Sequence, residues 1–226
     1  MKIGNFILQE KRRGDCYRLL SACFYQPQKE TFIQEEFFKN LEGLLRLISP
    51  DIVAHVSEME KSFLKYSEED LLVAYAKLFV GPNELLAPPY GSVYLDGEKM
   101  VMGDSTMEVI KMYEKQGLSM DGEFRNLPDH ISVELEFMYY LIFKEVEALE
   151  KSEWVTALDF IKTQGLFFDN FLRRWVKPFC DKIQQGTDNE FYASLADCVS
   201  AFIEKAHPGD DIPEELSVKA VQRRPC

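Results

Sequence analysis

The sequence predicts an all-α protein, a bundle of about nine to eleven helices with a structured Pro/Gly loop in the middle. Apolar residues recur with helical spacing along most of the 226 residues. Two of these stretches begin with Ser followed three residues later by an acidic residue, the pattern of a capping box. Proline ends others, since it cannot continue a helix.

The first part of the chain predicts four helices. An apolar stripe marks the first between Arg12 and Tyr25, and Pro27 ends it. Ser67 and Asp70 form a capping box at the start of the fourth. The second and third are predicted at residues 37–48 and 52–66.

Helical periodicity disappears in the loop, residues 81–104, where four Gly and three Pro interrupt the chain from Gly81 to Gly103. The loop is also rich in aromatic and apolar residues, whereas flexible linkers are Gly/Ser-rich or charged. Long ordered loops in compact domains are commonly functional. The sequence therefore predicts a structured and functional loop.

Helix resumes after the loop, with Ser105 and Glu108 as a second capping box. Pro128 suits the first turn of a central helix that is apolar on both sides and therefore buried. Further helices are expected at 154–175, with an interruption considered at Gly165, at 178–185 and at 190–206, followed by a polar, partly frayed tail. We expect an N-terminal part, 1–126, and a C-terminal part, 127–226, packed on it or merged with it into one domain.

Composition excludes several classes of protein. The chain has 26 Lys and Arg and 38 Asp and Glu, which gives a net charge of −12. This acidic charge disfavours nucleic acid as a partner and favours a cationic partner. The longest apolar run, Phe137 to Phe143, is too short to span a membrane, and Met1–Gly14 lacks the pattern of a secretory signal. Five irregularly spaced cysteines predict reduced thiols and a cytoplasmic protein with no metal site.

Motifs for catalysis are weak. The segment Val101–Ser105 is similar to the nucleophile block of GDS-type esterases, but the matching Asp-x-x-His pair near the end is missing. The preferred interpretation is that Ser105 is a helix N-cap. Asp129, His130 and Glu134 gather at the start of the central helix, where they are suited to hold a guanidinium group. On these three residues alone, a capping Asp129 and a His130 bonded to backbone are the better interpretation.

One set of segments is more specific. In order, these are residues 78–82 (LFVGP), 87–96 (APPYGSVYLD), 103–106 (GDST) and 128–130 (PDH). Together they resemble the TorD/DmsD/NarJ family of redox-enzyme maturation chaperones, with weaker similarity reaching from about Arg12 to Lys205.

The resemblance implies a TorD-like helical bundle that is a cytoplasmic chaperone and not an enzyme, with no cofactor. Its partner would be the twin-arginine signal peptide of the catalytic subunit of a molybdopterin oxidoreductase of the DMSO or TMAO reductase type. The alternatives are a NarJ-like assembly factor for a non-exported subunit and, remotely, the Ser105 esterase. The chain would be a monomer or a helix-swapped dimer.

Matching positions imply the peptide-binding residues. In this interpretation the tyrosines stack on the peptide, the apolar residues take its hydrophobic segment, and Asp129 pairs with an arginine. The set is Tyr75, Leu78, Phe79, Pro89, Tyr90, Asp129 and His130, with Pro88, Tyr94 and Glu134 in support.

Overall fold

In the computed structural model, which describes residues 2–82, 84–97, 100–119, 126–210 and 212–222, eleven α-helices have six or more residues. They are α1 (Ile3–Ala22), α2 (Lys29–Gln34), α3 (Phe37–Ile48), α4 (Val53–Lys65), α5 (Glu68–Tyr75), α6 (Asp104–Lys115), α7 (Ile131–Glu150), α8 (Trp154–Phe167), α9 (Arg173–Gly186), α10 (Glu190–Lys205) and α11 (Glu214–Gln222). A five-residue loop helix, Gly91–Leu95, lies inside the loop. The described residues contain no β-strand, and the all-α prediction is confirmed.

Short irregular helical segments join some of these elements. Pro50–Ile52 is a 3-10 turn between α3 and α4. The π-helical segment Ala76–Val80 extends α5, and a second, Phe168–Leu172, joins α8 to α9. π-Helical turns are rare in proteins, and those that occur are often found at functional sites. The first of the two segments lies directly before the loop.

Helix α7 is the central element, as its two apolar faces predict. It packs against α1 on one side and α8 on another, while α10 packs against both α4 and α9. The larger cluster of buried side chains draws on helices from both the 1–126 and the 127–226 part. The division into these two parts stays a prediction.

Several predicted boundaries are wrong. Helix α1 begins at Ile3, not Arg12, because Ile3 and Phe6 pack into a second apolar cluster with α8 and α11. Gly165 lies inside α8, and Pro178 lies inside α9 instead of starting a helix.

The tail prediction is also wrong for the described residues. Residues 214–222 form α11, and its Leu216 is fully buried in the second cluster. Residues 211 and 223–226 of the predicted tail lie outside the described residues, as do 83, 98 and 99 of the predicted loop.

The two predicted capping boxes differ. Ser67 and Asp70 make both hydrogen bonds of a capping box at α5, as predicted. Ser105 does not cap α6, whose N-cap is Gly103. Instead, the carboxylate of Asp96 accepts hydrogen bonds from the Ser105 backbone N–H at 3.0 Å and from its hydroxyl at 2.6 Å. A Cβ at position 103 would lie 2.3 Å from Asp96 Oδ2, so this contact requires glycine.

Candidate functional site

The loop is fastened to the start of α7 by a short antiparallel pairing of Tyr90 with His130. The Gly91 N–H donates to the Asp129 carbonyl at 2.8 Å, and the Ile131 N–H donates to the Pro89 carbonyl at 2.9 Å. The fold thus brings together residues 89–91 and 129–131, which the sequence separates by about forty positions. This contact places the predicted residues Pro89, Tyr90, Asp129 and His130 side by side.

Asp129 points inward. Its side chain is 1% exposed, and Oδ2 accepts a hydrogen bond from the Ser92 N–H at 2.8 Å. It therefore caps the loop helix, whose N-terminal N–H groups lack helical partners. Oδ1 is buried and has no hydrogen-bond partner among the described residues. In this conformation the carboxylate is closed to a surface ligand.

His130 is the N-cap of α7. Its Nδ1 accepts a hydrogen bond from the Ser132 N–H at 3.2 Å and lies 2.7 Å from the Ser132 hydroxyl. The ring also meets that of Tyr90 edge to face, with centroids 5.5 Å apart. Burial lowers the pKa of His130 to about 4, so the imidazole is neutral at neutral pH.

Glu134 is 0% exposed and accepts a hydrogen bond from Trp175 Nε1 at 2.9 Å. Burial raises its pKa well above the ordinary value; the Trp175 hydrogen bond opposes the shift and the charge of Asp129 adds to it. A Cβ at Gly91 would lie 3.1 Å from Trp175 Nε1 and 3.2 Å from Glu134 Oε1. Glycine therefore lets the loop approach this pair. We call Asp129, His130, Glu134 and Trp175 the buried junction.

Two of the predicted contact residues belong to the core. Leu78 is fully buried and Phe79 nearly so, both on the π-helical segment after α5. The Phe79 ring packs against those of Phe24, Phe179 and Tyr192. Like Asp129, these residues are closed to a ligand in this conformation and support the surface from beneath.

The half-buried residues beside the junction form a separate surface, which we call the tyrosine face: Tyr25, Tyr75, Tyr90 and Glu136. The Tyr25 hydroxyl donates to Glu136 Oε1 at 2.8 Å, and the Tyr75 hydroxyl donates to the Phe24 carbonyl at 3.2 Å. Burial raises the pKa of Tyr75, and the nearby charge of Tyr90 adds to the shift. The face thus contains three phenol rings and one carboxylate, and Tyr25 contacts the carboxylate directly.

Tyr25 and Glu136 were missed by the sequence predictions. A signal existed for Glu136: it follows Glu134 by two residues on a helix and so lies roughly 200° around the axis from it. Two side chains on nearly opposite sides of a helix cannot both lie on the same buried face, so one of the two carboxylates was expected to lie away from it. No pattern marked Tyr25, which follows the last residue of α1 by three positions.

Tyr90 also borders an apolar groove on the loop side, with a cavity of about 380 Å³. The groove is lined by Glu84, Leu85, Pro88, Tyr90, Val93, Val101 and Lys182. Nearby in the chain, Leu86, Met100, Met102 and Met107 expose about half of their side-chain surface.

Tyr94 supports the groove from below. Its ring stacks on Trp175 at 5.6 Å, its hydroxyl donates to the Pro88 carbonyl at 2.9 Å, and Lys182 Nζ lies 5.4 Å from its centroid.

The esterase hypothesis has no geometric support. The hydroxyl of Ser105 is hydrogen-bonded to Asp96, and no histidine contacts it among the described residues. Cys16, Cys23, Cys180 and Cys198 are buried free thiols, and the described residues contain no group of three or more metal-ligating side chains. No described helix combines the length and apolarity needed to cross a membrane.

Comparisons with known proteins identify the family. The family model described as "Nitrate reductase delta subunit" matches residues 46–181. The chain is 27% identical over 182 residues to the probable Tat proofreading chaperone DmsD of Haemophilus influenzae, covering 79% of this chain and 82% of that protein. It is 30% identical over 200 residues to the chaperone protein TorD of Vibrio parahaemolyticus, covering 85% and 91%.

A solved structure has the same fold. It is that of a protein from Archaeoglobus fulgidus described as a redox enzyme maturation protein, with a TM-score of 0.52, 23% identity, and coverage of 85% of this chain and 94% of that chain. The resemblance predicted from the loop and the Asp-His turn is thereby confirmed. The chain belongs to the nitrate reductase delta subunit family, the family of the TorD and DmsD chaperones.

Proposed function

We propose that this protein is a cytoplasmic chaperone that binds the twin-arginine signal peptide of a molybdenum-cofactor oxidoreductase subunit and assists its maturation before export. One observation carries the proposal: in a chain of the TorD and DmsD family, a half-buried face of three tyrosines and one carboxylate adjoins an apolar groove. A twin-arginine peptide has the matching chemistry, two guanidinium groups followed by an apolar stretch. The DMSO or TMAO reductase type is the client class that the resemblance to this family implies.

The residues divide into two roles in this proposal. Tyr75 and Tyr90 are accessible enough to stack on the peptide, and Pro88 borders the groove. The remaining predicted residues act from beneath by fixing the position of the loop on α7; these are Leu78, Phe79, Pro89, Tyr94, Asp129, His130 and Glu134. Such support matters because a binding surface held by buried hydrogen bonds loses little entropy when the ligand arrives.

Titration calorimetry with a synthetic peptide tests the proposal. The peptide carries two adjacent arginines followed by an apolar run, and the control peptide has both arginines replaced by alanine. We expect saturable binding to the first and at least tenfold weaker binding to the second. Equal affinity for both, or no binding to either, contradicts the proposal.

The client and the oligomeric state need separate measurements. Affinity capture from the host grown by anaerobic respiration, followed by mass spectrometry, should recover a molybdoenzyme catalytic subunit. Light scattering of the purified protein distinguishes a monomer from a helix-swapped dimer.

A NarJ-like factor for a non-exported subunit is the second candidate, favoured by the description of the matching family model. Such a factor would capture a catalytic subunit but would not discriminate the paired-arginine peptide from its alanine control. The calorimetric comparison therefore separates the two functions.

A further inference from the structure

We propose that Glu136 is the carboxylate that binds an arginine of the signal peptide, and that the apolar segment of the peptide lies in the groove on the other side of Tyr90. The inference rests on the proposed function and deepens it in two ways. It replaces Asp129 by Glu136 as the arginine partner, and it assigns a direction to the bound peptide.

Burial selects Glu136 among the nearby carboxylates. Asp129 and Glu134 are at most 1% exposed, so a peptide on the surface cannot reach them, although one oxygen of each has no hydrogen-bond partner among the described residues. Glu136 is half-buried, and within the described chain its side chain has one hydrogen-bond partner, the Tyr25 hydroxyl, and no ion pair. It thus keeps free acceptor capacity for a guanidinium group, in a setting dry enough to strengthen a charge-assisted bond.

Hydrogen bonds and one ring contact connect Glu136 with the three tyrosines. Tyr25 bonds it directly, and the Tyr75 hydroxyl donates to the carbonyl of Phe24, the residue before Tyr25. On the other side, the Tyr90 ring meets that of His130. His130 contacts Ser132, which lies four residues before Glu136 and hence on the same face of α7.

The type of charge recognised follows from this setting. A planar guanidinium can stack on an aromatic ring while it bonds a carboxylate, whereas a lysine ammonium is a strongly hydrated point charge. The half-buried ring of Tyr25 on Glu136, with those of Tyr75 and Tyr90 on the same face, therefore favours arginine over lysine.

The direction follows from how charge is distributed on the two sides of Tyr90. On the groove side the lining is mostly apolar, and the two charged residues that the structure describes there, Glu84 and Lys182, have opposite signs. Glu136 is the one carboxylate of the tyrosine face, and it forms no ion pair within the described residues. Arginines therefore bind at Glu136, and the apolar segment that follows them in the peptide continues past Tyr90 toward Val93 and Val101.

Calorimetry with the Glu136→Gln variant tests the arginine contact. We expect its affinity for the paired-arginine peptide to fall by about ten- to a hundredfold, the range for a hydrogen bond to a charged group. Glu150→Gln is the matched control, because it makes the same change in the last turn of α7, where Glu150 pairs with Lys11. Its affinity should stay within twofold of the wild type.

The Glu136→Gln substitution could also weaken binding by changing the structure away from the contact. A double-mutant cycle separates that effect from the loss of the contact itself. Exchanging the arginines of the peptide for lysines should weaken binding to the wild type much more than to Glu136→Gln. Equal losses on both proteins overturn the Glu136 contact while the proposed function stands. Failure of the wild type to bind the arginine peptide overturns the proposed function itself.

Photo-crosslinking tests the direction. Two peptides carry a crosslinking residue, one beside the arginines and one at the end of the apolar run. We expect the first to label α7 or the end of α1, and the second to label residues 84–97 or 100–107. The reverse pattern, or labelling of one region by both, overturns the assigned direction.

Discussion

The buried junction and the tyrosine face lie side by side at the start of α7, yet their polar groups are used in opposite ways. In the junction, Asp129, His130 and Glu134 are almost fully buried and bond Ser92, Ser132 and Trp175. On the face, the carboxylate and the phenol rings are half-buried and remain partly open to solvent. A conspicuous charged motif can thus stabilise the structure, while the groups that a ligand can reach lie beside it.

The difference has a thermodynamic reason. A buried carboxylate or imidazole must find partners inside the protein, because an unpaired buried polar group costs stability. Because these groups are buried, none of them can bind a ligand unless the structure opens. The junction should therefore govern stability and the face should govern affinity, and the following three experiments test that division.

The largest effect is expected for Trp175→Ala. Trp175 is fully buried, stacks on Tyr94 and donates to Glu134, so its removal leaves a cavity and an unpaired carboxyl group. We expect the free energy of unfolding to fall by about 3–5 kcal/mol, measured by urea denaturation. A loss below about 1 kcal/mol would show that the junction is not a centre of stability.

The next effect is a pH dependence carried by His130. Its pKa falls from the ordinary 6.5 to about 4 on folding, so the unfolded chain binds more protons between these values. Stability contributed by the neutral imidazole is complete above pH 6.5 and is lost as the pH falls toward 4, in total about 3 kcal/mol.

The variant His130→Asn isolates this contribution. Asparagine also caps helices but does not titrate, so the variant should lose less stability than the wild type between pH 6.5 and 4. Urea unfolding at several pH values measures the difference. Glu134, whose pKa is raised by burial, acts oppositely, since its contribution is lost as the pH rises above 4.5. The Glu134 contribution is the same in the wild type and the variant, so it cancels in the difference between their stabilities. If stability changed with pH in the same way in both proteins, the role of His130 would be contradicted.

The smallest stability effect is expected on the tyrosine face, for Tyr25→Phe. The variant loses one partly exposed hydrogen bond to Glu136, at a cost of about 0.5–1.5 kcal/mol. Tyr139→Phe, on α7, is the control, because the Tyr139 hydroxyl makes no hydrogen bond within the described residues. If Tyr25→Phe destabilised the protein as much as Trp175→Ala, the division between the two regions would fail.

Much of the fold was predictable because helix signals are local. The apolar stripes of α3 and α4 and the capping box of Ser67 depend on residues within a few turns, and the structure has them. The errors lie where distant packing intervenes. Helix α11 forms because Leu216 finds an apolar cluster built by α1, α7 and α8, and no local pattern announces that contact.

The candidate site shows the same division. The family resemblance predicted that the loop and the Asp-His turn belong to one site, and the structure pairs Tyr90 with His130. Which of Glu134 and Glu136 lies on the buried side was not predictable, because Trp175, which fixes Glu134, comes 41 residues later in the chain. For the same reason Tyr25 could not be associated with Glu136, 111 residues away.

By itself, the sequence determined the all-α class, the central place of α7, the structured loop and the family. It could do so because periodicity, capping and motif order are recorded along the chain. Only the tertiary structure decided which acidic groups of the candidate site are buried and which one stays partly exposed. That choice depends on the partners and the desolvation that each side chain meets after helices distant in sequence have packed together.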